Sequence, residues 1–198
     1  GIFINTTGIG TVPEGVSLSS ASASEGDAVI VNGPIGDHGL AIMSLREGIE
    51  FGSDLVSDSA PLSLLTVPLL SRFSGIKAMR DATSGGLAAV LIELAGDSRK
   101  GIRIEEDALP VRDSVRKGCE LMGYDPLHIA NEGKLVAVVA KAEAERIVEA
   151  MRGNELGAEA AVIGRIEAGP PGMVWLSTSF GGERVVDVPY GDLLPRIC

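Results

Sequence analysis

Ala28-Val29-Ile30-Val31-Asn32-Gly33-Pro34-Ile35-Gly36-Asp37-His38-Gly39-Leu40 carries the decisive pattern of this chain. Its first four residues form a continuous apolar run, the mark of a strand buried on both faces. A glycine-rich loop follows over 33–39. Leu40, Ile42, Met43, Leu45 and Ile49 then recur at helical spacing. The order is strand, glycine loop, helix. Two readings of the loop stand side by side. It is a tight turn, or its N–H groups cradle an anion at a helix N-terminus.

The same order returns downstream. Ile76-Lys77-Ala78-Met79 reads as a strand and runs into Arg80-Asp81-Ala82-Thr83-Ser84-Gly85-Gly86. Leu87, Val90, Leu91 and Leu94 then mark an amphipathic helix ending near Gly96, with Asp81 or Thr83 placed to cap it. Ile102-Arg103-Ile104 reads as a strand. Residues 111–122 read as a helix carrying Val115, Cys119 and Met122 on one face, and 125–129 as a short helical turn. The polar knot Asn131-Glu132-Gly133-Lys134 precedes Leu135-Val136-Ala137-Val138-Val139, another buried strand. Residues 142–152 are helical, with Ala144, Ile147, Val148 and Met151 facing in. Ala160-Ala161-Val162-Ile163 is a strand. Residues 173–176 and 184–188 form a hairpin around Gly181-Gly182.

Upstream and between these elements the pattern is looser. Residues 2–12 are rich in Ile, Thr and Val and read as a strand; 13–26 are rich in Ser, Gly and Ala and read as a connector. Residues 54–73 read as mostly helical, with Pro61 in a first turn and Pro68 kinking or restarting the helix. The strands and helices together read as an α/β (α+β) chain. The opening on Gly1, straight into Ile2-Phe3-Ile4, gives the expectation that 1–12 are the last strand of a mostly absent N-terminal domain.

Composition narrows the function. The 198 residues carry a net charge of −10, which disfavours nucleic acid or an anionic membrane as partner. Hydrophobic residues make up 45% but aromatics only 4%, so the core must be aliphatic. Two cysteines provide no disulfide framework, and a reducing cytoplasm is the expected location. With only His38 and His128, no Cys/His cluster has metal spacing, and no metal site is expected.

The chain ends on Leu194-Pro195-Arg196-Ile197-Cys198. Pro195 biases its neighbour toward extended geometry, and a thiol at the tip of an extended tail over 191–198 can visit two places. Cys119, on a helix face, reads instead as a small core residue.

Taken together, Gly36-Asp37-His38-Gly39, Arg80-Asp81-Ala82-Thr83-Ser84-Gly85-Gly86-Leu87, Asn131-Glu132-Gly133-Lys134 and the terminal Pro195-Arg196-Ile197-Cys198 resemble the nickel–iron hydrogenase maturation family HypE. Ser84 stands where that family's pattern has arginine. The resemblance covers the whole chain and corresponds to the back three-fifths of the family. It implies kinship with aminoimidazole ribonucleotide synthetase, selenophosphate synthetase and thiamin-phosphate kinase, which have two α/β domains and whose N-terminal domains pair across a homodimer and bind ATP there; it also implies that 27–190 are the C-terminal domain, layered α/β/α.

By the same resemblance, Cys198 is the carrier thiol, loaded with a carbamoyl group by the carbamoyltransferase HypF. ATP with Mg, bound mainly by the absent N-terminal domain, activates the amide oxygen. Glu132 matches the proposed base, and elimination leaves a thiocyanate whose cyano group passes to iron on the scaffold proteins HypC and HypD. Asp37, His38, Asp81, Thr83, Gly85, Gly86 and Asn131 are the expected cofactor-binding positions. The alternatives are another ATP-dependent enzyme of the superfamily acting on a free small molecule, and a docking module without activity.

Overall fold

The computed structural model describes residues 3, 5, 7–49 and 55–187. Seven strands form one sheet in the order β2-β4-β1-β5-β3-β6-β7. They are β1 (Ala28–Val31), β2 (Ile76–Asp81), β3 (Gly101–Glu105), β4 (Leu135–Val139), β5 (Ala161–Glu167), β6 (Val174–Ser177) and β7 (Glu183–Val186). Neighbours are antiparallel except β3 and β6, which run parallel. The helices are α1 (Asp37–Glu47), α2 (Ser63–Arg72), α3 (Gly86–Ser98), α4 (Asp113–Met122) and α5 (Ala144–Arg152).

The central strands are apolar on both faces because helices cover both. Val29, Val31, Val136 and Val138 pack against Leu87, Leu91 and Leu94 of α3. Ala28, Ile30, Leu135, Ala137 and Val139 face Leu65 and Leu69 of α2 and Ile147 and Met151 of α5. This is the expected α/β/α layering. A third, smaller cluster joins α1 and α4 through Leu40, Met43, Val115, Cys119 and Ile129.

Several expectations need correcting. Residues 7–12 are exposed and take no regular structure, because no strand pairs with them there. Residues 55–62 are not helical either; α2 starts at Ser63, just after Pro61. Leu45 is 81% exposed. It lies five residues past Leu40, roughly 140° around the helix at about 100° per residue, so it leaves the apolar stripe. Neither Asp81 nor Thr83 caps α3. The N-cap is Gly85 with φ 75°, and the Thr83 hydroxyl donates to Asp81 Oδ2 at 2.7 Å instead.

Pro68 sits inside α2 without ending it. A proline at this position withholds the N–H that the carbonyl four residues earlier would accept. That carbonyl belongs to Leu64, and Asn154 Nδ2 donates to it at 3.1 Å. Asn154 Oδ1 meanwhile accepts from Leu156 N–H at 2.9 Å and caps a short 3-10 turn. One side chain thus repairs the proline and ties α2 to the loop after α5. Asn154→Ala is expected to cost about 1 kcal/mol, the usual loss for a cap. Urea unfolding monitored by circular dichroism checks this, and an unchanged midpoint counts against it.

Candidate functional site

The loops that leave β1, β2 and the 125–129 turn meet at Asn131. This side chain is 1% exposed. Its Oδ1 accepts the Gly36 N–H at 2.8 Å, and its Nδ2 donates to the carbonyls of Ala82 at 2.9 Å and Ile129 at 3.1 Å. Backbone bonds reinforce the junction, from Asn131 N to Ala82 O and from Ala82 N to Lys134 O. Gly86 fits here because its φ is 64° and a Cβ would lie 2.6 Å from the carbonyl oxygens of Leu127 and Ile129.

The amides of Ile35, Gly36 and Gly39 are spent inside the protein, on Pro110 O, Asn131 Oδ1 and Ala130 O. The loop therefore holds the fold together with donors that an anion cradle would need. Among first-turn amides of α1, those of Asp37 and His38 remain for an anion.

Asp37, His38, Asn131 and Glu132 come together at the ends of β1 and β4. Asp81 ends β2, Thr83 and Gly85 lie on the loop that follows, and Gly86 opens α3; this segment is linked to the first group through Ala82. His38 Nδ1 is 2.8 Å from Ser57 Oγ. The half-buried Glu132 is fixed through its backbone, whose N–H donates to Asp58 Oδ1 at 3.0 Å. Cys198 and the tail 191–198 lie outside the described residues. The glycine after Glu132 is required by close approach: a Cβ on Gly133 would lie 1.8 Å from the Asp58 carbonyl oxygen.

The structure adds residues that the motifs did not show. Asp58, with a side chain only 5% exposed, lies 2.9 Å from Lys134 Nζ. Asn32 crosses from β1 to β4, accepting from Leu135 N–H at 2.8 Å and donating to the carbonyls of Gly133 and Leu156. Arg112 Nε donates to Asp37 Oδ2 at 3.1 Å, and its Nη2 reaches Glu159 at 3.1 Å. Burial pushes the Asp37 carboxyl above its usual range, against the pull of Arg112, while the hydrogen bond to Asp37 holds the Arg112 guanidinium above its own. Asn32 had a signal in the sequence, since a polar residue closing a buried apolar run needs partners. Asp58 had none, because it sits in a serine-containing stretch with no period.

Residues 24–176 match the family model described as AIR synthase related protein, C-terminal domain.

The chain belongs to that family.

Within this C-terminal-domain family, it is similar to carbamoyl dehydratase HypE of Rhizobium leguminosarum bv. viciae, at 51% identity over 100% of the chain and 57% of the relative. It is also similar to the crystal structure of Escherichia coli HypE, with a TM-score of 0.90 and 42% identity, over 96% of this chain and 58% of that one. The solved HypE–HypF complex gives a TM-score of 0.84 at 44% identity, covering 89% and 57%. A HypE in complex with ATP gives 0.87 at 40%, covering 91% and 55%. The chain thus spans under three-fifths of these relatives, and along all of it the likeness to hydrogenase maturation proteins holds. No helix among the described residues is long and apolar enough to cross a membrane.

Proposed function

We propose that this chain is the C-terminal part of an ATP-dependent carbamoyl dehydratase that converts an S-carbamoyl group on Cys198 to a thiocyanate. The observation that carries the reading is identity of 51% along the entire chain to a carbamoyl dehydratase, with the Asn131-Glu132 knot at the junction of both glycine loops. In the reaction the amide oxygen attacks the terminal phosphate of ATP and ADP leaves. Phosphate then departs with that oxygen as the nitrogen gives up its two protons. Oxygen alone is a poor leaving group and phosphate a good one. Glu132 is the proposed base for a proton on nitrogen, with its backbone held at the junction by Asp58.

ATP is held mainly by an N-terminal domain, which fits the few amides the glycine loops leave open. Residues 1–12 belong to that domain on this reading, 13–26 connect, 27–190 form the C-terminal domain and 191–198 the tail. Among the described residues no group of three or more His, Cys, Asp or Glu side chains is placed to hold a metal ion. On this reading Mg binds together with the phosphates of ATP. HypF is the proposed donor of the carbamoyl group, in keeping with the solved HypE–HypF complex. Iron held on HypC and HypD is the proposed acceptor of the cyano group, in a cytoplasmic, homodimeric setting.

The test is Glu132→Gln in the full-length protein. The amide keeps size and hydrogen bonding but is no base. Carbamoylation of Cys198 by HypF is expected to persist, while mass spectrometry shows thiocyanate forming at least about a hundredfold more slowly, the usual scale of general-base catalysis. Thiocyanate formation at the unaltered rate removes Glu132 from the chemistry.

A further inference from the structure

Strand β7 lies at the edge of the sheet and pairs with β6 alone; its last paired residue, Val186, is buried in the core. Asp187 follows, and the eleven residues 188–198 lead from it to Cys198. The short 3-10 turn Pro126–His128 and its cap Asp125 hold this strand end by two side chains. Arg184 Nη2 donates to Asp125 Oδ2 at 2.5 Å, and His128 Nε2 is 2.9 Å from the carbonyl oxygen of Asp187. A carbonyl oxygen only accepts, so Nε2 carries the hydrogen and donates it. The other ring nitrogen, Nδ1, is 4.0 Å from Asp125 Oδ2, too far for a hydrogen bond.

The turn is itself fixed. Asp125 Oδ1 accepts the Leu127 N–H at 2.9 Å, and the His128 N–H donates to the Asp125 carbonyl at 3.0 Å. Leu127 is buried, and the carbonyls of Leu127 and Ile129 close against Gly86. The His128 side chain is 16% exposed, so water competes little for its bond. Distance decides what such an anchor can serve. His128 and Glu132 are four residues apart in sequence, which keeps their Cα atoms within about 15 Å. With the imidazole and its hydrogen bond added, the Asp187 carbonyl lies within roughly 25 Å of Glu132. Eleven residues extend to about 40 Å at most. The tail is therefore long enough to bring Cys198 to the proposed base while the anchor stays made.

We propose that His128 is a positioning residue for the terminal thiol: its bond to the Asp187 carbonyl fixes the 187–188 peptide, and with it the direction in which the tail sets out. The inference rests on the carbamoyl dehydratase reading and adds to it the pivot of the carrier. Val186 in the core fixes where the chain leaves the sheet, and His128 fixes where it points. Asp125 supports both, holding the strand through Arg184 and the turn through the Leu127 N–H. The pivot sits on the same segment as the base, so the two stay in register. A set direction favours an intramolecular step, because the thiol searches fewer arrangements before it meets the base.

The test uses the full-length protein, carbamoylated at Cys198 and mixed with ATP, with thiocyanate followed by mass spectrometry through a single turnover. His128→Ala is expected to slow this turnover about three- to tenfold, the scale of one hydrogen bond. His128→Gln puts an amide nitrogen where Nε2 stood and should restore the rate to within about twofold, whereas His128→Asn is too short and should behave like alanine. Thermal melts report that each variant is folded, and a histidine that only stabilises the fold would not produce this order. A second readout is independent of turnover: the electron paramagnetic resonance spectrum of a nitroxide attached through Val188→Cys in a Cys198→Ser background. The label should move slowly with histidine or glutamine at 128 and fast with alanine or asparagine. Unchanged turnover in His128→Ala, no recovery in His128→Gln, or a label equally mobile in all four proteins overturns the proposal. Absence of thiocyanate from the unaltered protein sinks the dehydratase reading instead, and the nitroxide then decides by itself whether His128 holds the root of the tail.

Discussion

Asn131→Ala is expected to destabilise the domain by about 3 kcal/mol. That corresponds to a drop in melting temperature of roughly 6–12 °C for a chain of this size. The argument is one of unsatisfied groups. Alanine leaves the Gly36 N–H and the Ile129 carbonyl without a partner in a buried site, and removes one of two donors to the Ala82 carbonyl. Each buried group so orphaned costs about 1–3 kcal/mol. Asn131→Asp separates the parts. It keeps an acceptor for Gly36 but aims a carboxylate at two carbonyl oxygens, so it should be as damaging as alanine. Differential scanning calorimetry reads both. A loss under about 1 kcal/mol for Asn131→Ala would mean that the junction does not depend on this side chain.

That side chain shows what the sequence could and could not reveal. The knot at 131–134 stood out because polar residues before a buried strand need partners. The strands β1 and β4 were legible from continuous apolar runs, and α5 from its spacing, because period and burial are local. The pairing order was not. Nothing in Ala28–Val31 says that it lies between β4 and β5, since central strands covered on both faces look alike. Asp81 and Thr83 had the chemistry of helix caps, yet Gly85 took the position because the chain there needs positive φ. Pro68 predicted a break because its rescuer, Asn154, is far away in sequence. Arg112 and Asp58 were missed for the same reason: each acts through a partner about 75 residues distant. Residues 2–12 had β-formers but, where described, no neighbour to pair with, and composition alone does not make a strand.

The largest effect of all is expected at Cys198. On the proposed reading, Cys198→Ser in the full-length protein abolishes thiocyanate formation, because an oxygen ester of carbamate has no sulfur on which to build it. Adding one alanine after Cys198 is a finer test. It keeps the thiol, moves the carboxylate away and lengthens the tail, so cyanide formation should fall more than stability does. Cys119 serves as the internal control. It is 1% exposed, and burial pushes its thiol up to about 12. Because its pKa is raised, the folded protein holds this proton throughout the range in which an ordinary thiol loses it. Between pH 7 and 9 an ordinary thiol of pKa about 8.5 gains roughly twentyfold in thiolate. Labelling of Cys198 by a thiol reagent should therefore be fast and rise steeply with pH, while Cys119 stays unmodified until the protein unfolds. Peptide mapping after timed labelling distinguishes the two. Equal labelling of both thiols, or thiocyanate found on Cys119, would sink the assignment of the terminal cysteine as the carrier.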